Sequence, residues 1–404
     1  MRLDRFMATA AAQPPAVVLQ VRYACGLGVV RDLGVHGVPS LALDADPDAI
    51  GLRSRYALGL RCPDPLAGEA DFIGYLEHLG PRLPQRAVVF PSHDEYVWPL
   101  SRHADRLAPW FIVPFSGWQV MRRVYDKRAQ IEAAWRVGVD TPRTVFVSSG
   151  VELEAAAGEV PFPAVLKPVE SLAFKRRFHR HILDVDSPAD LRRIYDKVDD
   201  LGVLMLQERV PGGESELYTV GSYLDAQSRP LAVFTGHKLR QYPHAGGSCL
   251  AGVSKWDGDL ADSALRLLEE LRYHGVSQVE FKRDPRDGRL CLMEVNARHW
   301  KWHGLAAACG VNLSLVAYRD AIGDPFVAPR QADGVKWIVA NKDVPLALLE
   351  IAKRQRRAGE YVRSLRGTRI DGLHSLRDPL PGLLNVGTVA RQVITGQSRA
   401  RADV

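Results

Sequence analysis

Apolar and polar positions fall into two regimes along the chain. Residues 16 to 114 alternate short, nearly continuous apolar runs with stretches of helical spacing. AVVLQ, PSLALD, RAVVF and WFIVPF read as buried strands, and EADFIGYLEHLGPRL reads as a helix between two of them. Strands without a polar face, separated by helices, are the pattern of a parallel sheet with crossover helices.

From Asp126 the pattern changes. DKRAQIEAAWRVG has the spacing of an amphipathic helix, TPRTVFV and FPAVLK read as strands, and SPADLRRIYDKV reads as a helix opened by a serine cap. VLMLQERV, ELYTVGSYLD, RPLAVFTGHKL, QVEFKR and RLCLMEVNA then follow as consecutive strands of an antiparallel sheet, with LADSALRLLEELRYHG as a helix between two of them. Beyond about residue 330 the chain is basic and less regular, and VPLALLEIAKRQRRAGEYV is expected to be helical. The expectation is an α/β domain, then an α+β portion, then a C-terminal appendage.

The stretch QVEFKRDPRDGRLCLMEVNARHW, residues 278 to 300, carries the most chemistry. Side chains two apart on a strand share a face, so Glu294 and Asn296 point the same way. A two-residue loop at Asp287–Gly288 pairs Glu280 with Val295. A three-residue loop, Arg286–Gly288, pairs Glu280 with Glu294, Val279 with Val295 and Phe281 with Met293. The second register sorts the apolar side chains onto one face and the three oxygen-bearing ones onto the other, and it gives Gly288 the left-handed position. Opposed carboxylates repel, and a hard dication removes the cost. Two acids and an amide suit Mg²⁺, which keeps waters and phosphate oxygens as its other ligands. The alternative is a solvated face whose acids pair with Lys282 or Arg298.

Composition narrows the classes. The chain has 404 residues, 46% hydrophobic and 25% charged, with a formal net charge of +6. That length implies two or three domains. Its basic residues are spread rather than striped, which favours a small anion over a nucleic acid. Five cysteines without a CxxC pair read as reduced thiols of a cytoplasmic protein, neither a zinc site nor a disulfide framework. No apolar run approaches the roughly 20 residues of a membrane-spanning helix, and MRLDRFMATAAAQPP lacks the apolar segment of a signal peptide.

Other residues complete a candidate site. Lys127 opens a helix, and Lys167 ends a strand that Pro168 stops; both are point charges able to reach phosphates from separate elements. VLMLQERVPGGES is a strand that exits into a Gly-Gly turn. Gln207, Glu208 and Val210 at that exit offer backbone groups to an adenine, and Glu214 offers a carboxylate to ribose hydroxyls. An ordinary β-turn and surface lysines are the alternatives.

The order of helix-start Lys, strand-end Lys, Pro-Gly-Gly hinge and Glu…Glu-x-Asn-x-Arg resembles the ATP-grasp superfamily of carboxylate–amine ligases. QERVPGGE resembles the hinge of D-alanine–D-alanine ligase. FTGHKLRQYP with VEFKRDPRDGRLCLMEVNAR resembles a branch related to D-aspartate ligase. The resemblance covers about residues 16 to 325. It implies an ATP-grasp fold: an N-terminal Rossmann-like domain (1–120), a small lid subdomain (121–205), a larger antiparallel-sheet subdomain (206–328) and a C-terminal appendage (329–404).

It also implies roles. Lys127 and Lys167 hold the α- and β-phosphates of ATP, Gln207 to Val210 the adenine, and Glu214 the ribose, with Glu216 competing. Glu280, Glu294 and Asn296 bind Mg²⁺ or Mn²⁺. Arg298, with Lys238, faces the transferring phosphoryl group or acyl phosphate. One departure is the phosphate-covering loop, which is glycine-rich in many relatives. Here it reads VESLAFKRRFHRH, offering Lys175, Arg176, Arg177 and Arg180 instead.

The implied chemistry is amide formation from a small carboxylate and an amine, both amino-acid-like, through an acyl phosphate, and the resemblance also implies a homodimer, common in this superfamily. Trp300 and Trp302 serve as pocket walls or as packing, and Lys301 or His303 as carboxylate contacts. Arg22, Asp94 and Glu95, at strand ends of the first domain, are candidates for gripping substrate. Two rivals stand beside this reading. One is a non-catalytic nucleotide- or RNA-binding protein that retains the fold. The other is a dehydrogenase, suggested by Gly26-x-Gly28 and Asp44 but lacking the third glycine, since residue 31 is Arg.

Overall fold

A computed structural model describes residues 3–169, 182–198, 200, 202–244 and 246–394, with side chains to residue 386. The basic loop at 170–181 lies outside the described residues. Three sheets organise the chain. The first is parallel, built from β1 (Ala16–Leu19), β2 (Ser40–Asp44), β3 (Ala57–Arg61), β4 (Ala87–Pro91) and β5 (Phe111–Ile112) in the order β3-β2-β1-β4-β5. β1, β2 and β4 are buried throughout, which is why they read as continuous apolar runs. Two details differ from the sequence reading. ALGLR forms an edge strand that its sparse apolar pattern did not announce. WFIVPF keeps only two strand residues, because Pro114 has no N–H for a ladder and the chain turns off to bond Ser116 N to the His274 carbonyl at 3.0 Å.

The second sheet contains β6 (Thr144–Val147), β7 (Ala164–Pro168), β8 (Leu183–Val185) and β9 (Leu204–Glu208), ordered β6-β9-β7-β8. VLMLQERV was expected to open the large antiparallel sheet. It instead lies between β6 and β7, so the expected limit at 205/206 falls inside β9. Ser149 and Ser187 cap the helices Gly150–Glu159 and Pro188–Tyr195 that pack on this sheet.

The third sheet has seven strands. β10 (Leu217–Leu224), β11 (Pro230–Tyr242), β12 (Ser248–Ser254), β13 (Gly275–Arg283), β14 (Leu290–Asn296), β15 (Lys336–Ile338) and β16 (Arg369–Asp371) run in the order β14-β13-β10-β11-β12-β15-β16. One face carries Val220, Leu224, Val279, Phe281, Leu292 and Val295 against the helices Lys127–Arg136 and Gly258–Glu270. The opposite face changes character along its length. At one end Tyr223, Phe234, Trp300 and Trp302 join the core shared with the parallel sheet and its helix Ala24–Gly34. At the other end it carries Thr219, Lys238, Gln278 and Glu280. Gly221 makes room for this arrangement: a Cβ there would lie 2.0 Å from Trp300.

The C-terminal residues extend this sheet. β15 pairs antiparallel with β12 and parallel with β16. The stretch expected to be one helix breaks into Ala340–Ala352 and Ala358–Ser364. Asp343, 1% exposed, accepts from Arg240 at 2.5 and 2.8 Å and from Tyr361 at 3.1 Å. Asp378 accepts from Arg31 and Ser54 of the first domain at 3.0 and 2.9 Å. Removing one partner of a buried ion pair leaves a desolvated charge and costs about 3–5 kcal/mol. Asp343→Ala is therefore expected to lower unfolding free energy by about that amount in urea denaturation, against little change for the exposed Asp196→Ala.

Candidate active site

The β13–β14 hairpin sets the site. Glu280 stands opposite Glu294, Val279 opposite Val295, and Gln278 opposite Asn296. The opposition of the two acids expected from sequence is present, although the turn is not the one expected. Arg283 pairs with Leu290 and Phe281 with Leu292 rather than Met293, and the register shifts between Glu280 and Phe281. The loop is Pro285–Gly288, closed by Asp284 N to Arg289 O at 2.8 Å, with Gly288 at φ +80°. Met293 is the extra residue of a bulge, which restores the pairing beyond it. The apolar residues decide the outcome: Phe281, Leu292, Val279 and Val295 all reach the same core.

β14 is an edge strand, and a side chain the sequence reading did not select covers its edge. Buried Gln130 accepts from Val295 N at 3.1 Å and donates to Val295 O at 3.2 Å. Leu292 N bonds the Asp140 carbonyl at 2.8 Å. These bonds fix the helix Lys127–Arg136 against the hairpin, with its first residue, Lys127, within electrostatic reach of Lys167. Asp126 caps that helix, accepting from Arg128 N and Ala129 N.

Lys167 comes from the second sheet. Its Nζ donates to Gln207 Oε1 at 2.8 Å, and Gln207 Nε2 donates to Thr144 Oγ1 at 3.0 Å. Burial, reinforced by the positive charge of Lys127, pulls the Lys167 ammonium down to about 8, while Glu294 acts in the opposite sense. Lys167 is thus within electrostatic reach of both Lys127 and Glu294, each on a different element. Glu294 is exposed and makes no hydrogen bond among the described residues.

Lys238 enters from β11, 8% exposed, with Nζ 3.1 Å from Glu280 Oε1. Burial opposes its charge most strongly, but Glu280, Cys249 and Glu294 together outweigh burial and hold the ammonium above its ordinary range. Gln278 Nε2 donates to the same Glu280 oxygen at 3.0 Å. The acids therefore do not pair with Lys282 or Arg298. Lys282 donates to the Val210 carbonyl at 2.8 Å, tying the hinge to the sheet.

Arg298 leaves the hairpin toward the parallel sheet. Its Nε and one terminal nitrogen contact the Asp94 carboxylate at 2.7 and 3.2 Å, and that nitrogen also reaches Asn296 Oδ1 at 3.3 Å. Tyr125 donates to Asp94 at 2.9 Å. Burial alone would raise the Asp94 carboxyl, but the guanidinium overrides it and brings it down to about 2. Asn296 donates in turn to Gln278 at 3.4 Å, so Arg298 is linked to Glu280 through Asn296 and Gln278, and Asp94 aims Arg298.

The hinge residues divide. Glu208 turns its carboxylate to Arg286 and accepts from Arg143 N at 3.3 Å. Glu214 accepts from Gln241 N at 3.2 Å and contacts His244 at 3.3 Å, while Glu216 packs over Gly212. A cavity of about 630 Å³ opens beside Glu208, away from the paired acids, and its Arg286 and Arg289 are engaged by Glu208, Asp284 and Asp287. Trp300 and Trp302, each 2% exposed, are packing and not pocket walls. His303 is buried too, contacting Asp32 and the Cys25 carbonyl. Gly28 is explained by this contact, since a Cβ there would lie 2.7 Å from His303 Nε2. Asp44 is held by Arg22 at 3.3 Å and by Asp46 N at 2.9 Å. The glycine pair and the acid that suggested a dehydrogenase therefore have structural partners.

Among the described residues no group of three His, Cys, Asp or Glu side chains forms a metal cage. The hairpin instead offers two carboxylates and an amide oxygen on one face. That set fits a hard dication that completes its shell with water and phosphate oxygens.

Comparison with known proteins agrees with this geometry. The family "Carbamoyl-phosphate synthase L chain, ATP binding domain" matches residues 255–328, which include the hairpin. D-aspartate ligase of Enterococcus faecium is 25% identical over 248 residues, spanning 58% of this chain and 58% of that protein's length. Biotin carboxylase from Campylobacter jejuni, solved as a β,γ-ATP complex, superposes with TM-score 0.63 at 16% identity, covering 80% of this chain and 74% of that one. L-amino acid ligase from Bacillus licheniformis superposes with TM-score 0.58 at 14% identity, covering 79% and 75%. No described helix is long and apolar enough to cross a membrane.

The electrostatics of Lys167 are directly measurable. In ¹³C NMR of reductively methylated protein without ligand, one lysine is expected to titrate near pH 8, and its resonance should vanish in Lys167→Arg. The sign follows from burial: the folded state holds this proton less tightly than the unfolded chain, so this group costs stability below pH 8 and the cost fades as pH rises toward 10. The chain has the ATP-grasp fold, and in sequence it is similar to D-aspartate ligase and to an ATP-binding domain of carbamoyl-phosphate synthase.

Proposed function

We propose that this chain is an ATP-dependent ligase that joins a small, amino-acid-like carboxylate to an amine, with release of ADP and phosphate. The observation that carries the reading is the opposition of Glu280 and Glu294, with Asn296 on the same face and Lys167 within electrostatic reach of Glu294 and Lys127. A pair of carboxylates beside converging ammonium groups suits a metal–nucleotide complex and little else. The neighbouring relatives named for D-aspartate and L-amino acid ligation support an amino-acid substrate.

Glu280, Glu294 and Asn296 would hold Mg²⁺, whose charge would offset that of the nucleotide phosphates. Lys127 and Lys167 would hold phosphate oxygens from the helix and lid sides. Desolvation leaves Lys167 poised, so contact with phosphate would restore its full charge. Gln207 to Val210 would present backbone groups to the adenine, and Glu214 would accept from ribose hydroxyls. Lys238, 3.1 Å from Glu280, offsets the charge of that carboxylate. Arg298, held by Asp94, would steady the carboxylate as one of its oxygens attacks the γ-phosphorus of ATP and ADP departs. The resulting acyl phosphate is then opened by the amine. C–N bond formation and C–O cleavage give the amide and free phosphate. The chain's contribution is orientation and charge placement, with no covalent enzyme intermediate.

The test is Glu294→Ala in an ADP-release assay over a panel of D- and L-amino acids as carboxylates, with amino acids as amines. Wild-type protein is expected to release ADP only when both substrates are present. The variant is expected to lose about 100-fold or more, as when a single transition-state electrostatic partner is removed, while circular dichroism stays unchanged. Unaltered turnover would refute the assigned site.

A further inference from the structure

His93 sits between β4 and the helix Asp94–Arg102, one residue from the carboxylate that holds Arg298. Its Nδ1 contacts Glu95 Oε2, with the two side chains 18% and 21% exposed. A carboxylate can only accept, so Nδ1 carries the hydrogen, and in the neutral imidazole Nε2 is the nitrogen with the lone pair. Nε2 makes no hydrogen bond among the described residues.

The dyad is braced from behind. Gln20 Nε2 reaches Glu95 Oε1 at 3.5 Å, and Ser92 Oγ contacts both the Gln20 carbonyl, at 2.6 Å, and its side-chain oxygen, at 3.2 Å. Gln20 adopts φ +61°, a left-handed conformation that a glutamine adopts at a cost, and it is 5% exposed. The backbone accepts strain at the end of β1 where the amide faces Glu95. A base oriented by a carboxylate that is itself oriented by a third group is the arrangement by which proteins prepare proton acceptors. It lies at the carboxyl end of a parallel sheet, where open sheets receive ligands. The mechanism above has no use for it, and it leaves a proton unassigned: an amino-acid amine arrives as ammonium and has no lone pair.

We propose that His93, held by Glu95, is the general base that takes a proton from the incoming ammonium group. This rests on the ligase reading. His93 Nε2 accepts one proton, and the freed nitrogen lone pair attacks the acyl carbon. The acyl C–O bond breaks and phosphate leaves. The second nitrogen proton passes to the departing phosphate, giving amide and hydrogen phosphate. Arg298 holds the acyl side of the same reaction, gripped by Asp94, the residue next to the base.

Hydroxylamine isolates the step, because it is already neutral at pH 7 and needs no base. With the carboxylate that releases ADP, rates are measured at pH 7 using an amino-acid amine and using hydroxylamine, which yields a hydroxamate. In His93→Gln the ratio of amine to hydroxylamine rates is expected to fall about 100-fold, the size of a general-base contribution. Glu95→Gln is expected to lower the same ratio by about 10-fold, as the histidine loses its orienting partner, and it decides the matter if the first variant does not fold. An unchanged ratio, whether both rates fall or neither does, overturns the proposal while leaving the ligase reading intact. If wild-type protein forms no hydroxamate and releases no ADP with any carboxylate, the ligase reading itself fails.

Discussion

Everything in this site depends on the register of one hairpin. Four apolar side chains on β13 and β14 must reach a single core, and that requirement forces two carboxylates to face each other across the ladder. Side-chain alternation makes the consequence absolute, since a slip of one residue would bury the acids and expose the apolar residues. The arrangement is unfavourable for an isolated sheet, where like charges directly opposed destabilise the pair. Lys238 relieves part of the repulsion from within the sheet by standing 3.1 Å from Glu280. Glu294, exposed and without a hydrogen bond among the described residues, is left for something outside the sheet.

The surrounding structure keeps that hairpin and the cations in fixed relation. Gln130 closes the free edge of β14 and so anchors the helix whose first residue is Lys127. Lys282 ties the hinge carbonyl of Val210 to β13. Trp300, given space by Gly221, wedges the parallel sheet against the apolar end of the large sheet, and this holds Asp94 where Arg298 emerges. One sheet face therefore does two jobs: its apolar end fixes the domains together, and its polar end faces nucleotide on the proposed reading. The C-terminal residues reinforce the same frame through Asp343 and Asp378.

Much of this was legible in residue order, and the failures have specific causes. Buried parallel strands announce themselves by continuous apolar runs, so β1, β2 and β4 were readable. β12, SCLAGVS, is short and rich in small residues and gave no comparable signal. β9 looks like any strand of an antiparallel series, and only tertiary pairing assigns it to the second sheet. The opposition of Glu280 and Glu294 was readable because the apolar face over-determines it, even though two local details were wrong. A four-residue loop and a bulge at Met293 shift the register by compensating amounts. Gln130 and Gln278 were not readable, because a glutamine on a helix or strand carries no mark of what it bonds. The roles of Trp300 and Trp302 were undecided in sequence, since spacing two fits packing and pocket alike, and burial resolves it in favour of packing. His93 drew no notice because its partner stands only two residues away, within an ordinary helix start.

The central claim is that the opposed acids clamp a divalent ion against the terminal phosphates of a nucleotide. Anomalous diffraction from crystals grown with Mn²⁺ and a non-hydrolysable ATP analogue tests it most directly. The account predicts a manganese peak between the carboxylates of residues 280 and 294, within bonding distance of both and of a phosphate oxygen. A peak elsewhere, or nucleotide density bound without metal at this hairpin, would contradict it.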